Sequence, residues 1–235
     1  MSNLIALAGS GEYLDVMSDI DRRLLAEAGK DRPRVVCLPT AAGQEGPSSI
    51  QRWSEMGIAH FRKLGAEVEA LPVIDRSTAE DPRHASRIRD ADLIYFSGGD
   101  PGYLYRTLAN TPTWESVESA CRRGAAVAGC SAGAMILGEY LPDRFSLNFN
   151  FAAGFGWIAR CLVLPHFDRM PFRSLWLPMV RRKLTDRQYA LGVDENTALV
   201  GRIGGDWEVM GAASVSILTR SATAKHSLGS CVKLP

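Results

Sequence analysis

No excess of either charge marks this sequence: 27 Lys and Arg stand against 26 Asp and Glu, a net charge of +1. Without a surface field of one sign, electrostatic capture of nucleic acid or of an anionic membrane is not expected, and small, peptide-sized partners are favoured. Cysteine is scarce. Cys37, Cys121, Cys130, Cys161 and Cys231 are an odd set, and no two are spaced as CxxC. They imply neither a disulfide framework nor a zinc site; no metal or cofactor is expected, and reduced thiols in a cytoplasmic compartment fit best. Long apolar runs are missing as well. Residues 4–8 (LIALA) are too short for a signal-peptide core or a membrane span, and Met1-Ser2-Asn3 supplies no basic start. Internal repeats, low-complexity tracts and Pro- or Ser-rich linkers are absent, so residues 1–235 are read as a single domain.

What the chain does have is alternation. Short apolar runs at 4–8, 35–38, 68–73, 93–96, 125–128 and 162–164 are bounded by Gly, Pro, Asp or Ser and read as buried strands. Between them, 15–27, 47–65, 80–90, 102–123 and 132–139 carry apolar residues at helical spacing. Strand–helix alternation predicts an α/β fold: an open, mostly parallel sheet with helices on both faces. Runs at 197–201, 207–210 and 215–219, separated by Gly-rich turns, predict an antiparallel C-terminal edge. The stretch 140–160 is the least regular and is read as a loop over the site; its aromatics at 149–157, with Trp176, are candidates to join two copies as a homodimer.

Residues 125–134 read AAVAGCSAGA: a small apolar strand enters Gly129-Cys130-Ser131-Ala132-Gly133 and a helix follows. In this G-x-S-x-G pattern the central residue sits on a strained turn with its side chain pointing out. The flanking glycines let strand and helix pass closely. The backbone N–H of Ala132 then faces the place where an oxyanion forms. Cys130 is the rival nucleophile, but the glycines flank Ser131 symmetrically, so Ser131 takes the apex. A second strand, Leu93–Phe96, ends in Ser97-Gly98-Gly99-Asp100-Pro101, where bare backbone at Gly99 offers a second oxyanion donor. Asp100 is read either as a binder of a substrate amine or as the cap of the helix starting near Pro101. Gly9-Ser10-Gly11 lacks the third glycine of a dinucleotide fingerprint and is read as a loop bordering the same crevice.

A serine nucleophile needs a neutral imidazole as base. Among four histidines, His60 and His84 lie in charged helical segments and are read as solvated, and His226 sits in a polar stretch near the end of the chain. His166 stands at the end of a strand, at the same edge as Ser131. For the carboxylate that orients the imidazole, Asp143, Asp168, Asp194 and Glu195 are all candidates, and spacing does not choose among them.

Together, G-C-S-A-G-A at 129–134, S-G-G-D at 97–100, P-H-F at 165–167 and G-V-D-E-N-T-A at 192–198 resemble the serine peptidases that include cyanophycinase and aspartyl dipeptidase. The resemblance spans nearly the whole chain. It implies a class I glutamine amidotransferase-like, flavodoxin-like fold, with Ser131 as nucleophile, His166 as base and oxyanion donors at Gly99 and Ala132. In cyanophycinase-like members the acid lies in the G-x-D-E segment, which implies Glu195. The position that the aspartyl dipeptidases give to the acid is Ser146 here, which cannot serve. Cyanophycinases carry Gln before the histidine and an arginine-rich stretch after it, whereas this chain has Pro165 and only Arg169 and Arg173. These two arginines are read as holding a substrate carboxylate or as solvated helix charges. The expected activity is that of a serine exopeptidase acting on short peptides at aspartyl or isoaspartyl bonds. A small-molecule esterase or amidase, and a catalytically silent binding module, are the alternatives.

Overall fold

The computed structural model describes residues 3–142 and 150–235. Five of the apolar runs form a parallel ladder. Ile5–Ala8 (β1), Arg34–Leu38 (β2), Glu67–Ala70 (β3), Leu93–Phe96 (β4) and Ala126–Cys130 (β5) lie in the spatial order β1-β5-β4-β2-β3. Successive side chains point to opposite faces, and both faces are covered. On one face Ala6, Val35, Cys37, Tyr95 and Ala128 pack against Ser18–Ala26 (α1) and Pro47–Lys63 (α2) through Ile20, Leu24 and Phe61. On the other, Leu7, Val36, Leu38, Ile94 and Val127 share a core with the helices that follow β3 and β4.

Those helices start where the sequence offers caps. Arg76–Ala79 (α3) begins at a capping box made by Asp75 and Thr78. Pro82–Arg89 (α4), Pro101–Leu108 (α5) and Pro112–Arg122 (α6) each begin on proline, behind the capping side chains of Asp81, Asp100 and Thr111. The single helical segment expected over 102–123 is therefore two helices. Asn110 adopts a left-handed φ of +57° between them, and Thr111-Pro112 restarts the helix.

The helix expected over 132–139 is only Ala132–Met135 (α7), because Gly138–Pro142 (β6) starts a second sheet. That sheet continues through Phe151–Ala153 (β7), Ile158–Pro165 (β8) and, after Arg173–Lys183 (α8), Tyr189–Val193 (β9). The chain then returns to the first sheet. Thr197–Gly201 (β10) pairs antiparallel with β1 and Trp207–Gly211 (β11) antiparallel with β10, giving the expected antiparallel edge. Ser214–Leu218 (β12) and Thr223–Ser227 (β13) rejoin the second sheet, and Cys231–Val232 (β14) closes the first. The orders are β14-β11-β10-β1-β5-β4-β2-β3 and β13-β12-β9-β8-β6-β7.

The runs at 162–164 and 215–219 thus belong to a separate sheet and do not extend the first. The cause is burial on two sides. Cys161 and Val163 face the core shared with the first sheet, while Leu162 and Leu164 pack under Val180 and Leu184 at the end of α8. Part of the 140–160 stretch is likewise ordered into β6, β7 and the start of β8. Among the described residues, no helix is long and apolar enough to cross a membrane.

Candidate active site

Ser131 leaves β5 and caps α7 with φ +51° and ψ −111°, a conformation that costs a residue with a side chain on the order of 1–3 kcal/mol. The surroundings enforce it. Its N–H donates to the Ala8 carbonyl at 3.0 Å, and its carbonyl accepts from the N–H groups of Ala134 and Met135, both at 3.0 Å. A Cβ on Gly129 would sit on the Gly133 carbonyl, and one on Gly133 would sit on the Phe96 carbonyl. The two glycines of the motif are there because backbone touches backbone.

His166 follows β8 with φ +128°, beside Val193 of β9. Its Nε2 lies 2.7 Å from Ser131 Oγ, and its Nδ1 lies 3.4 Å from Glu195 Oε1. With its proton on Nδ1, the ring donates to Glu195 and turns the Nε2 lone pair toward the serine hydroxyl, the arrangement that makes an alcohol nucleophilic. Glu195 lies in the connection from β9 to β10, and its own N–H donates to Asp168 Oδ1 at 2.9 Å. Arg169 reaches Glu195 Oε2 at 3.8 Å and Asp168 Oδ2 at 3.7 Å.

Of the carboxylates left open by spacing, Glu195 is the one hydrogen-bonded to His166 among the described residues. Asp168 supports Glu195. Asp194 is buried and lines a cavity with Phe167, Asp168, Arg173 and Lys225; burial, and then the charge of Asp168, push its pKa up. Asp143 and Ser146 lie outside the described residues.

Gly98 and Gly99 run beside the serine. A Cβ on Gly98 would come within 3.4 Å of Ser131 Cβ. Gly99, at φ +142°, passes so close to the Ala41 backbone that no side chain fits. Ala132 opens α7, where an N–H has no partner within the helix. Asp100 caps α5, its Oδ1 accepting from the Tyr103 N–H at 2.7 Å. Arg173 is turned to its own loop. It donates to the Phe167 carbonyl at 2.6 Å and stacks over the Phe167 ring at 4.8 Å.

Cys130 points into the core, fully buried. Desolvation, and then the charge of Glu12, hold its thiol well above the ordinary range. His60, expected to be solvated, is buried and bonded to Asp21 Oδ2 at 2.8 Å, because helical spacing turns it toward α1. The reading of the sequence missed Glu12, which accepts hydrogen bonds directly beneath the site. Its one sequence signal was position, immediately after the Gly9-Ser10-Gly11 loop. That loop does border the crevice: Ser10 Oγ accepts from the Asn196 N–H at 3.1 Å.

Comparison with known proteins gives a consistent family. Cyanophycinase of Trichormus variabilis is 28% identical over 211 residues, 85% of this chain and 68% of that protein. The crystal structure of a peptidase from an acI-B1 Actinobacterium superposes with a TM-score of 0.89 at 36% identity, covering 100% of this chain and 98% of that one. A putative peptidase E from Listeria monocytogenes shares the fold, with a TM-score of 0.62 at 18% identity over 97% of this chain and 100% of that one. The family model described as peptidase family S51 matches residues 4–206, and the chain belongs to that family of serine peptidases.

Proposed function

We propose that this peptidase is an exopeptidase that cleaves short peptides at aspartyl or isoaspartyl bonds through an acyl-enzyme. The 2.7 Å contact between Ser131 Oγ and His166 Nε2, at an apex that only a strained turn can present, carries the reading. Ser131 attacks the scissile carbonyl as Nε2 takes its proton. Glu195 accepts from Nδ1–H and steadies the imidazolium. The N–H groups of Gly99 and Ala132 receive the oxyanion. His166 then returns the proton to the leaving amine, and water repeats the sequence on the ester.

Arg169 supports an acidic preference. It is 74% exposed, beside Glu195, and a guanidinium matches the planar geometry of a substrate carboxylate. The tie of Arg173 to Phe167 gives it a lesser part, and Asp100, which caps α5, is assigned the amine of the substrate. Free cysteines at all five positions support a reducing, cytoplasmic setting. The exposed side chains of Phe172, Leu175 and Met179 beside Trp176 support a homodimer, which sedimentation at graded concentrations tests.

A panel of dipeptides with Asp, isoAsp, Asn or Ala at the first position, set against simple esters, tests the substrate. Preferential turnover of the acidic dipeptides that disappears in Ser131→Ala is the expected result. Rapid ester turnover with no dipeptide cleavage would replace the reading by an esterase.

A further inference from the structure

The first loop of the chain reaches under the site in a way that the reaction steps do not use. Gly11 (φ +86°) and Tyr13 (φ +66°) are both left-handed and turn the intervening Glu12 inward, where it is 8% exposed. Its Oε1 accepts from the Gly98 N–H at 3.0 Å, and its Oε2 accepts from the Cys130 thiol at 3.0 Å. One carboxylate therefore ties together the ends of three adjacent strands, β1, β4 and β5. Tyr13 adds a second grip, its hydroxyl 2.8 Å from Ser97 Oγ.

The two halves of the oxyanion site meet at this carboxylate. On one side lies Cys130, whose next residue is Ser131 and whose second is Ala132. On the other lies Gly98, whose next residue is Gly99. The peptide unit carrying the Gly99 N–H is clamped at both ends. Gly98 is fixed by Glu12, and beyond Gly99 the Asp100 N–H donates to the Ala41 carbonyl at 2.9 Å. A Cβ on Gly98 would lie 2.7 Å from Glu12 Oε1, so the acid under the loop also accounts for the first glycine of the pair. The thiol remains a hydrogen donor because burial and the charge of Glu12 keep it protonated.

We propose that Glu12 is a positioning residue that sets the orientation of the Gly98–Gly99 peptide against Ser131, and so shapes the oxyanion site without touching substrate. The proposal rests on the serine peptidase reading. It predicts a rate effect that the conservative amide relieves. Gln at this position keeps an acceptor for the Gly98 N–H and removes a negative charge from beneath a site where negative charge develops. Ala keeps neither contact. Asp is one methylene too short to span Gly98 and Cys130 together.

The test is the rate at which a peptidyl phosphonate inactivates the wild-type protein and the variants E12A, E12Q and E12D, with melting temperature followed alongside. Phosphonylation places an oxyanion in the hole, so its rate reports the orientation of the donors. E12A is expected to slow inactivation on the order of 10- to 100-fold, short of the loss from deleting a donor outright. The effect should fall on the limiting rate and leave the half-saturating concentration in place, and E12Q should recover most of it. If E12A does not fold, E12D carries the same expected loss. A folded E12A or E12D that reacts within about threefold of wild type would overturn the proposal, since a loss that small is no more than an ordinary hydrogen bond is worth. So would a loss in E12Q equal to that in E12A. If wild-type protein itself is not labelled at Ser131, the peptidase reading fails instead, and the two failures stay distinct.

Discussion

The first sheet delivers Ser131 through a corner where backbone presses on backbone, and the second delivers His166 on a loop that water reaches. On the serine side, Gly129, Gly133 and Phe96 leave no room for a methyl group, and Cys130 and Ala132 are fully buried. On the histidine side, the side chains of His166 and Glu195 are 42% and 35% exposed, and the link between them is 3.4 Å long. Sterics fix one half of the site, and screened polar contacts fix the other. The serine half should therefore tolerate almost no change, and the histidine half should respond in graded steps.

The largest effect expected is that of Ser131→Ala, which should lower kcat by a factor on the order of 10³ or more with an unchanged melting temperature. Cys130→Ala should keep activity within about tenfold, because it loses one ordinary hydrogen bond to Glu12 and not the attacking group. Alkylation of the native protein with iodoacetamide supplies the control. Cys231 is exposed and should react, while burial pushes Cys37, Cys121 and Cys161 up to about 12 and holds Cys130 well above its ordinary value, so these should not. Labelling at Cys130 that blocks activity would reverse the assignment of the nucleophile.

Next in size is Gly129→Ala, which tests the crowded corner directly. The added methyl meets the Gly133 carbonyl, and backbone cannot swing aside as a side chain can. Overpacking of this kind costs about 1–3 kcal/mol. Displacing Ser131 by about an ångström costs on the order of 10²-fold in rate. Urea denaturation and kcat should fall together. A variant with wild-type kcat would break the contrast between the two halves.

The same contrast explains what could be read from the sequence. The elbow was legible because its requirements are local: glycine at two positions and small side chains beside them. The helix start at Asp100 was legible for the same reason, a capping side chain followed by proline. The same pair at Thr111-Pro112 was passed over, because apolar residues keep helical spacing across it. The second sheet was not, because a short apolar run such as 162–164 declares burial but not its partner strand. Glu195 could be preferred only through family resemblance, since four carboxylates lay at spacings that decide nothing. Glu12 was illegible because its partners lie 86 and 118 residues away in the chain.

On the histidine side, Glu195→Gln should lower kcat about tenfold, far less than the roughly 10⁴ lost when a buried orienting carboxylate becomes an amide. The long, half-exposed contact permits water to take over part of the work. A loss approaching 10³ would mean that the site closes around substrate and dries.

The smallest effect belongs to Asp168, and it discriminates most finely. Its Oδ1 accepts the Glu195 N–H at 2.9 Å, while Oδ2 faces Arg169 at 3.7 Å. Removing an acceptor from a backbone donor that water can reach costs about 0.5–1.5 kcal/mol, so Asp168→Ala should reduce kcat about three- to tenfold. Asp168→Asn keeps a carbonyl oxygen for the N–H and loses only the charge facing Arg169. That charge pair is exposed and screened, so Asn should restore the rate to within about twofold of wild type, and added salt should make little difference to either. If Asn instead behaves like Ala, the charge matters more than the hydrogen bond. The histidine half would then be organised by the Asp168–Arg169–Glu195 cluster as a unit, and Arg169→Ala should reproduce the same loss even on a neutral ester substrate that gives the guanidinium nothing to hold.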